Sequence, residues 1–299
     1  MTINLKTLSG LEKYLPIIQL RAKIKEAVSD MSAKVKIDEE HNYTRVSDGK
    51  WLAGVTSVSS LVPKEWLSAW GAKEAVKALG YSDYEGDTIL AEEMKAKIIE
   101  CKTIEEYLAI LKEAKGASFR KSKDALIDGK VGHDWIENYI KTKMLLGKLP
   151  VMPKDMLERP LKQFVDWEKT NVSVWLLSEA LVCDVAKEYA GTMDALAIMK
   201  DDSVALVDFK FASHISSEYH LQTSGYQSCL ENYGIKIAKR IIVRLPKTLT
   251  MDEWDKTKRV YKKVENTIEV FEVDTPYEWD RDVFYSALPV KKWINANNK

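Results

Sequence analysis

The sequence predicts an α/β protein built on a mixed central sheet, and three observations carry that expectation. From Val174 to Lys210, apolar residues run in strand-length blocks separated by turn residues. A helical pattern and one more apolar block, Arg240 to Leu245, follow directly. The first 120 residues instead repeat their apolar positions mostly at helical spacing.

Taken in order, the first forty residues read as helix. Tyr43 to Val58, YTRVSDGKWLAGVTSV, reads as two short strands about an Asp48-Gly49 turn. Pro63 to Leu79 reads as helix, with proline near its start and Gly80 just past its end. A charged helix over Ile89 to Lys115 closes at Gly116, and another from Ala125 to Leu146 carries Trp135, Ile136, Tyr139 and Ile140. Pro150, Pro153 and Pro160 bracket a connection into a short helix, Leu161 to Lys169. The period then changes. Strands are expected at Val174–Val182, Tyr189–Met199 and Val204–Lys210, the last two joined by the tight turn Lys200-Asp201-Asp202-Ser203. A helix over Glu218–Tyr233, a strand at Arg240–Leu245, a helix over Trp254–Glu265, a strand at Thr267–Val273 and a terminal helix complete the chain. The resulting division is a helical N-terminal region, residues 1–120, with a hairpin near 43–58, and a core over 121–299 ending in a helical tail.

Composition narrows the function. With 299 residues, 45% hydrophobic and 30% charged, the chain reads as an ordinary soluble protein. No apolar stretch approaches the roughly 20 residues that span a bilayer, and the N-terminus lacks an uninterrupted apolar signal core, so a cytoplasmic protein without membrane association is expected. Cys101, Cys183 and Cys229 lie far apart, which argues against a disulfide framework and against four-cysteine zinc or iron–sulfur sites. Basic and acidic residues number 45 each, so no global positive field marks the chain, and any polyanion must use a local groove. Two segments lean basic, Lys112–Lys148 and Ile235–Lys263; they permit DNA binding without establishing it.

The chemistry concentrates in GTMDALAIMKDDSVALVDFK, Gly191 to Lys210. Of six D/E-x-K tripeptides, only Asp208-Phe209-Lys210 ends an apolar strand and follows another strand that holds an acid, Asp194. Strand side chains alternate, so Asp208 and Lys210 share a face, and Asp194 can sit beside Asp208 if the register allows. Glu179, in SEAL on the preceding strand, can add a third carboxylate. Two or three acids on one sheet face repel, and a hard divalent cation, Mg²⁺ or Mn²⁺, resolves that repulsion. The plain alternative is a structural salt bridge between Asp208 and Lys210. Two weaker features lie outside the strands. His133 stands one helical turn before Glu137 in GKVGHDWIENYI, and Gly129 and Gly132 suit a close approach by that helix. In LQTSGYQSCL, Gln222 and Tyr226 share a helix face.

In order, His133, Glu179, Asp194, Asp208-x-Lys210 and Gln222-x-x-x-Tyr226 resemble the RecB-like branch of the PD-(D/E)XK nuclease superfamily, to which phage and mitochondrial genome maintenance exonucleases belong. The resemblance covers Ala125 to Leu245 and reaches weakly to the Asp48-Gly49 hairpin and the VTSV that follows. It implies a restriction-endonuclease-like core and metal-dependent hydrolysis of DNA phosphodiesters, most simply as an exonuclease. It further implies that Asp194, Asp208 and the Phe209 carbonyl hold Mg²⁺ or Mn²⁺ near His133, with Glu179 binding directly or through water. Lys210 would position the water nucleophile, and Gln222 and Tyr226 would contact DNA or steady the site. The four cysteines of the iron–sulfur members are missing, so a cluster-free form is implied. A recombination or helicase partner is compatible with the resemblance. Two rival expectations are a non-catalytic nucleic-acid-binding module on the same fold, and a structural protein whose acids are satisfied by neighbouring lysines.

Overall fold

The computed structural model describes residues 15–84, 87–255, 257 and 260–297. The chain opens on α1 (Leu15–Lys34), which gives way to a short strand, β1 (Val35–Ile37), where the sequence reads as continued helix. The part of that expected helix over residues 1–14 lies outside the described residues. β1 pairs with β2 (Tyr43–Arg45), and β2 with β3 (Trp51–Gly54) across the expected turn. Gly49 takes φ +68 there, and the Asp48 carboxylate binds the Arg45 guanidinium at 2.5 Å. VTSV does not extend the second strand. It coils into α2 (Val55–Ser59), because Val55 and Val58 at helical spacing both enter the core. The Ser57 and Ser59 hydroxyls satisfy carbonyls of the same turn.

α3 (Trp66–Ala78) follows and stops before Gly80, which takes φ +93. The single charged helix expected over Ile89–Lys115 is two, α4 (Ile89–Glu100) and α5 (Ile104–Lys115). Thr103 caps α5: its hydroxyl accepts the Glu106 N–H while the Glu106 carboxylate accepts the N–H of Thr103. α6 (Ala117–Met144) starts eight residues earlier than its apolar stripe announces and runs across position 120. α7 (Glu158–Asn171) leads into the sheet.

β4 (Val172–Asp184), β5 (Tyr189–Met199) and β6 (Val204–Phe211) form the expected antiparallel meander. α8 (Glu218–Glu231) then crosses over to β7 (Lys239–Leu245), which lies parallel to β6. One edge of β5 pairs with β4. The opposite edge is shared: Tyr189 and Ala190 pair with β3 in parallel, and Ala195 to Ile198 pair with β6. Between those two partners, Gly191 to Asp194 have no ladder neighbour on that edge, so the sheet forks there. α2 and α8 fill the base of the fork, and a Cβ on Gly191 would sit 2.7 Å from the Tyr226 ring and 3.0 Å from Val55.

The helix expected over Trp254–Glu265 is instead a hairpin, β8 (Thr250–Asp255) and β9 (Val260–Glu265), with Trp254 opposite Tyr261 and their rings 5.0 Å apart. The aromatic pair facing across the strands outweighs the helix propensity of the flanking lysines and acids. β10 (Glu269–Glu272) adds to β7, and α9 (Tyr277–Asn297) ends the described chain. Helices cover both faces of the mixed sheet. α1, α2, α8 and α9 pack on one face through Met31, Val58, Leu230 and Phe284; α6 and α7 pack on the other through Ile136, Ile140 and Phe164. Among the described residues no helix is long and apolar enough to cross a membrane.

Candidate metal centre

The fork in the sheet gathers the chemistry. Asp194 leaves the ladder there, and its Oδ2 accepts the main-chain N–H of Phe209 at 2.6 Å, which ties β5 to β6 beyond their last ladder pair. His133 arrives from α6 with Nδ1 3.9 Å from the same oxygen. Gly132 makes that approach feasible, since a Cβ there would lie 2.1 Å from the Phe211 ring. Glu179 arrives from β4. Its φ of +48 makes it the one non-glycine residue with a left-handed backbone inside a strand, among the described residues. One donor atom from each of His133, Glu179 and Asp194 lies within 4.8 Å of the others.

Asp208 sits beside this trio and is fully buried. Lys210 Nζ is 2.6 Å from its Oδ2, so the pair shares one face of β6 as the alternation requires. Neither Asp208 oxygen, however, accepts a hydrogen bond of regular geometry. The Lys210 ammonium also lies 5.2 Å from the centre of the Tyr219 ring. Phe209 points to the opposite face, edge-on to Phe164 at 5.4 Å.

The protonation pattern follows from burial. Burial pushes the Glu179 carboxyl up to about 8, and Asp194 adds to the effect. Burial raises Asp208 to about 6, opposed by Lys210 and reinforced by Asp194. Asp194 is raised by burial as well, against the pull of Lys210 and the Phe209 N–H. Burial works to strip Lys210 of its proton, but the Asp208 and Asp194 carboxylates win and hold it above its usual range. Burial and then Lys210 push His133 down to about 4, so its ring is neutral at pH 7 with a lone pair to give.

These residues fit a divalent cation. Carboxylates crowded until they resist ionisation, a neutral imidazole and a buried carboxylate without directed hydrogen bonds form a donor set that a hard or borderline ion completes. No protein-family model matches the chain, and no curated protein matches it.

Gln222 and Tyr226 lie beneath the fork, with the Gln222 amide donating to the Tyr226 hydroxyl at 3.1 Å. They are 5% and 2% exposed, so of the two roles implied for them, steadying the site matches their position and contact with DNA does not. The sequence signal for Tyr219 is its spacing: Tyr219, Gln222 and Tyr226 recur at helical intervals on α8. The fork and the left-handed Glu179 left no sequence signal. The basic segments offer less free charge than their composition implies. Lys121 pairs with Glu74, Lys143 with Glu168, Lys239 with Asp201, Arg240 with Asp280 and Arg244 with Glu269. Lys256, Lys258 and Arg259 lie outside the described residues.

Proposed function

We propose that the chain is a divalent-metal-dependent nuclease of the PD-(D/E)XK type, with the mixed sheet as its restriction-endonuclease-like core. The observation that carries this reading is the convergence of His133, Glu179 and Asp194 at the fork, beside a buried Asp208 that carries Lys210 on the same strand face. DNA as the polymer, an exonucleolytic mode, a recombination or helicase partner and a cytoplasmic location come from the resemblance and belong to the same proposal.

Asp194 and Asp208 would hold Mg²⁺ or Mn²⁺, with His133 and Glu179 at its flank and the Phe209 carbonyl as a further oxygen. A bound ion supplies positive charge for the phosphate as it becomes pentavalent and eases deprotonation of water. Lys210 stays protonated beside Asp208 and near the Tyr219 ring, so it would donate hydrogen bonds to the attacking water and to the developing phosphate charge. The Phe209 N–H fixes one Asp194 oxygen and leaves the other to bind. The buried Gln222–Tyr226 pair buttresses Gly191 and keeps the fork open.

The Asp208–Lys210 ion pair also suits a structural reading, and one experiment separates the possibilities. End-labelled DNA incubated with EDTA, Mg²⁺ or Mn²⁺ should be cut only with the divalent ion. Asp208→Asn and Lys210→Ala should each lower the rate by at least about 100-fold while leaving the fold intact. DNA binding without divalent-dependent cutting would favour a binding module. No Mn²⁺ affinity by calorimetry would favour the structural role.

A further inference from the structure

Of the nine tryptophans four are exposed, and the two most exposed lie on one helix. Trp279 and Trp293 of α9 are 64% and 67% exposed, against 46% for Trp66 and 45% for Trp254. Their spacing of fourteen residues is close to four helical turns, so they share one side of α9 and stand about 21 Å apart along it. Val283, Ser286 and Val290 occupy the turns between them, and all three are exposed. The opposite side carries the buried Asp280, Phe284 and Leu288, with the Phe284 ring set against Gly225 of α8. Both sides of α9 thus carry large apolar groups, but only the inner side is covered by the described residues.

The outer stripe reads the same from either end. Trp279, Val283, Ser286, Val290 and Trp293 follow at steps of four, three, four and three, with the smallest side chain in the middle. Turned end for end about Ser286 the stripe falls on itself, which is what an isologous two-fold contact requires. Trp279 of one copy then meets Trp293 of the other, and the two Ser286 residues let the backbones come close. Charge favours the same direction. The exposed acids Glu278 and Asp282 lie in the first half of α9, and Lys291 and Lys292 in the second. Antiparallel copies therefore set opposite signs beside each other, and parallel copies like signs. Lys292 also binds Glu188 at 2.7 Å and Asp282 binds Arg281 at 2.9 Å, so the charges set direction while the indoles supply area. With each indole about two-thirds exposed, the four of a pair would bury on the order of 500 Å². That is a large share of the roughly 1,200 Å² at the low end of specific interfaces.

We infer that the outer side of α9 is a self-association surface, on which a second copy of this chain packs antiparallel with Ser286 on the two-fold axis. The inference does not rest on the nuclease reading. Pairing would also hold Phe284 against α8, the helix that carries Gln222 and Tyr226.

The test is the mass of the full chain by sedimentation equilibrium between about 1 and 200 µM, a range that brackets micromolar pairing. The wild type should pass from monomer to dimer within it, and its Tm should rise with concentration. Trp279→Ser and Trp293→Ser should each weaken the dimer by at least about 10-fold. Both side chains are exposed, so the Tm of the dilute monomer should not move. Ser286→Arg keeps every indole, blocks the close approach and should also dissociate the pair. Orientation is read by cross-linking with copper–phenanthroline in a Cys101→Ser background, which removes the one cysteine that is not buried. Ser286→Cys should link two copies. Val283→Cys should not, because its antiparallel counterpart lies roughly 9 Å further along the axis. A monomer at every concentration would overturn the inference, as would a dimer indifferent to the tryptophan variants and to Ser286→Arg. Linkage of Val283→Cys as ready as that of Ser286→Cys would overturn the antiparallel pairing. A monomer that binds phosphatidylglycerol vesicles with blue-shifted tryptophan emission would assign the surface to a membrane and overturn the inference too.

Discussion

At Glu179 a left-handed backbone and a crowded carboxyl coincide, in a strand that would be relaxed with almost any residue in extended conformation. Holding such a φ costs on the order of 1–3 kcal/mol, so the surrounding sheet must enforce it. The crowding has a measurable sign. Glu179 and Asp208 keep their protons to higher pH in the folded chain than in the unfolded one. The folded state therefore binds more protons between the ordinary carboxyl value, near 4.5, and about 8, and stability falls as pH rises through that window. Calorimetry in EDTA should show a lower Tm at pH 8 than at pH 6. Mn²⁺ should raise Tm more at pH 8, because the ion takes the place of the protons. Equal Mn²⁺ shifts at both pH values would show that the acids do not share an ion. The side chains of this site were legible from alternation: Asp208 and Lys210 two apart on one strand, Asp194 on its neighbour. The conformation of Glu179 was not, because nothing in SEAL demands a positive φ and only the assembled sheet imposes it.

At the level of elements, α6 reaches the sheet because Gly132 has no side chain. Gly132→Ala would drive a Cβ into the Phe211 ring, and overpacking of this kind costs about 1–3 kcal/mol. His133 is the next residue, so on the proposed function the variant should lose cleavage activity and Mn²⁺ affinity as well as Tm. A variant with lower Tm and unchanged Mn²⁺ affinity would separate the helix position from the site. Long, strongly patterned elements were readable: β5 and β6 are almost wholly apolar, and α8 lies between them and β7. Where the elements depart from the sequence pattern, local signals compete. The Thr103–Glu106 capping box was visible as T-x-x-E, but the charged helical pattern running through it concealed the break. Trp254 and Tyr261 define a hairpin only once they face each other, which spacing alone does not reveal. Likewise the exposure of Trp66 depends on where α3 docks, not on the residues around it.

The whole molecule has no net charge, and many basic side chains near the core are already paired with acids. On the proposed function, DNA should therefore engage through a few local phosphates and not through a long electrostatic track. Plotted as log affinity against log salt, binding should have a slope no steeper than about −4, the release expected for four or five neutralised phosphates. A slope near −8 would mean that a basic surface elsewhere on the molecule carries the polymer. The fold class was readable because strand blocks, crossover helix and parallel strand follow in sequence order. The forked edge of β5 was not, since it depends on Ala53 and Gly54 finding Tyr189 and Ala190 from far away in the chain. That distance has a temporal meaning. β3 leaves the ribosome long before β5, and Asp194 gains its open edge only after both have emerged and joined. A nascent or clipped polypeptide thus carries every acidic residue without the geometry that gathers them, and on the proposed function hydrolysis would begin only after both strands have joined.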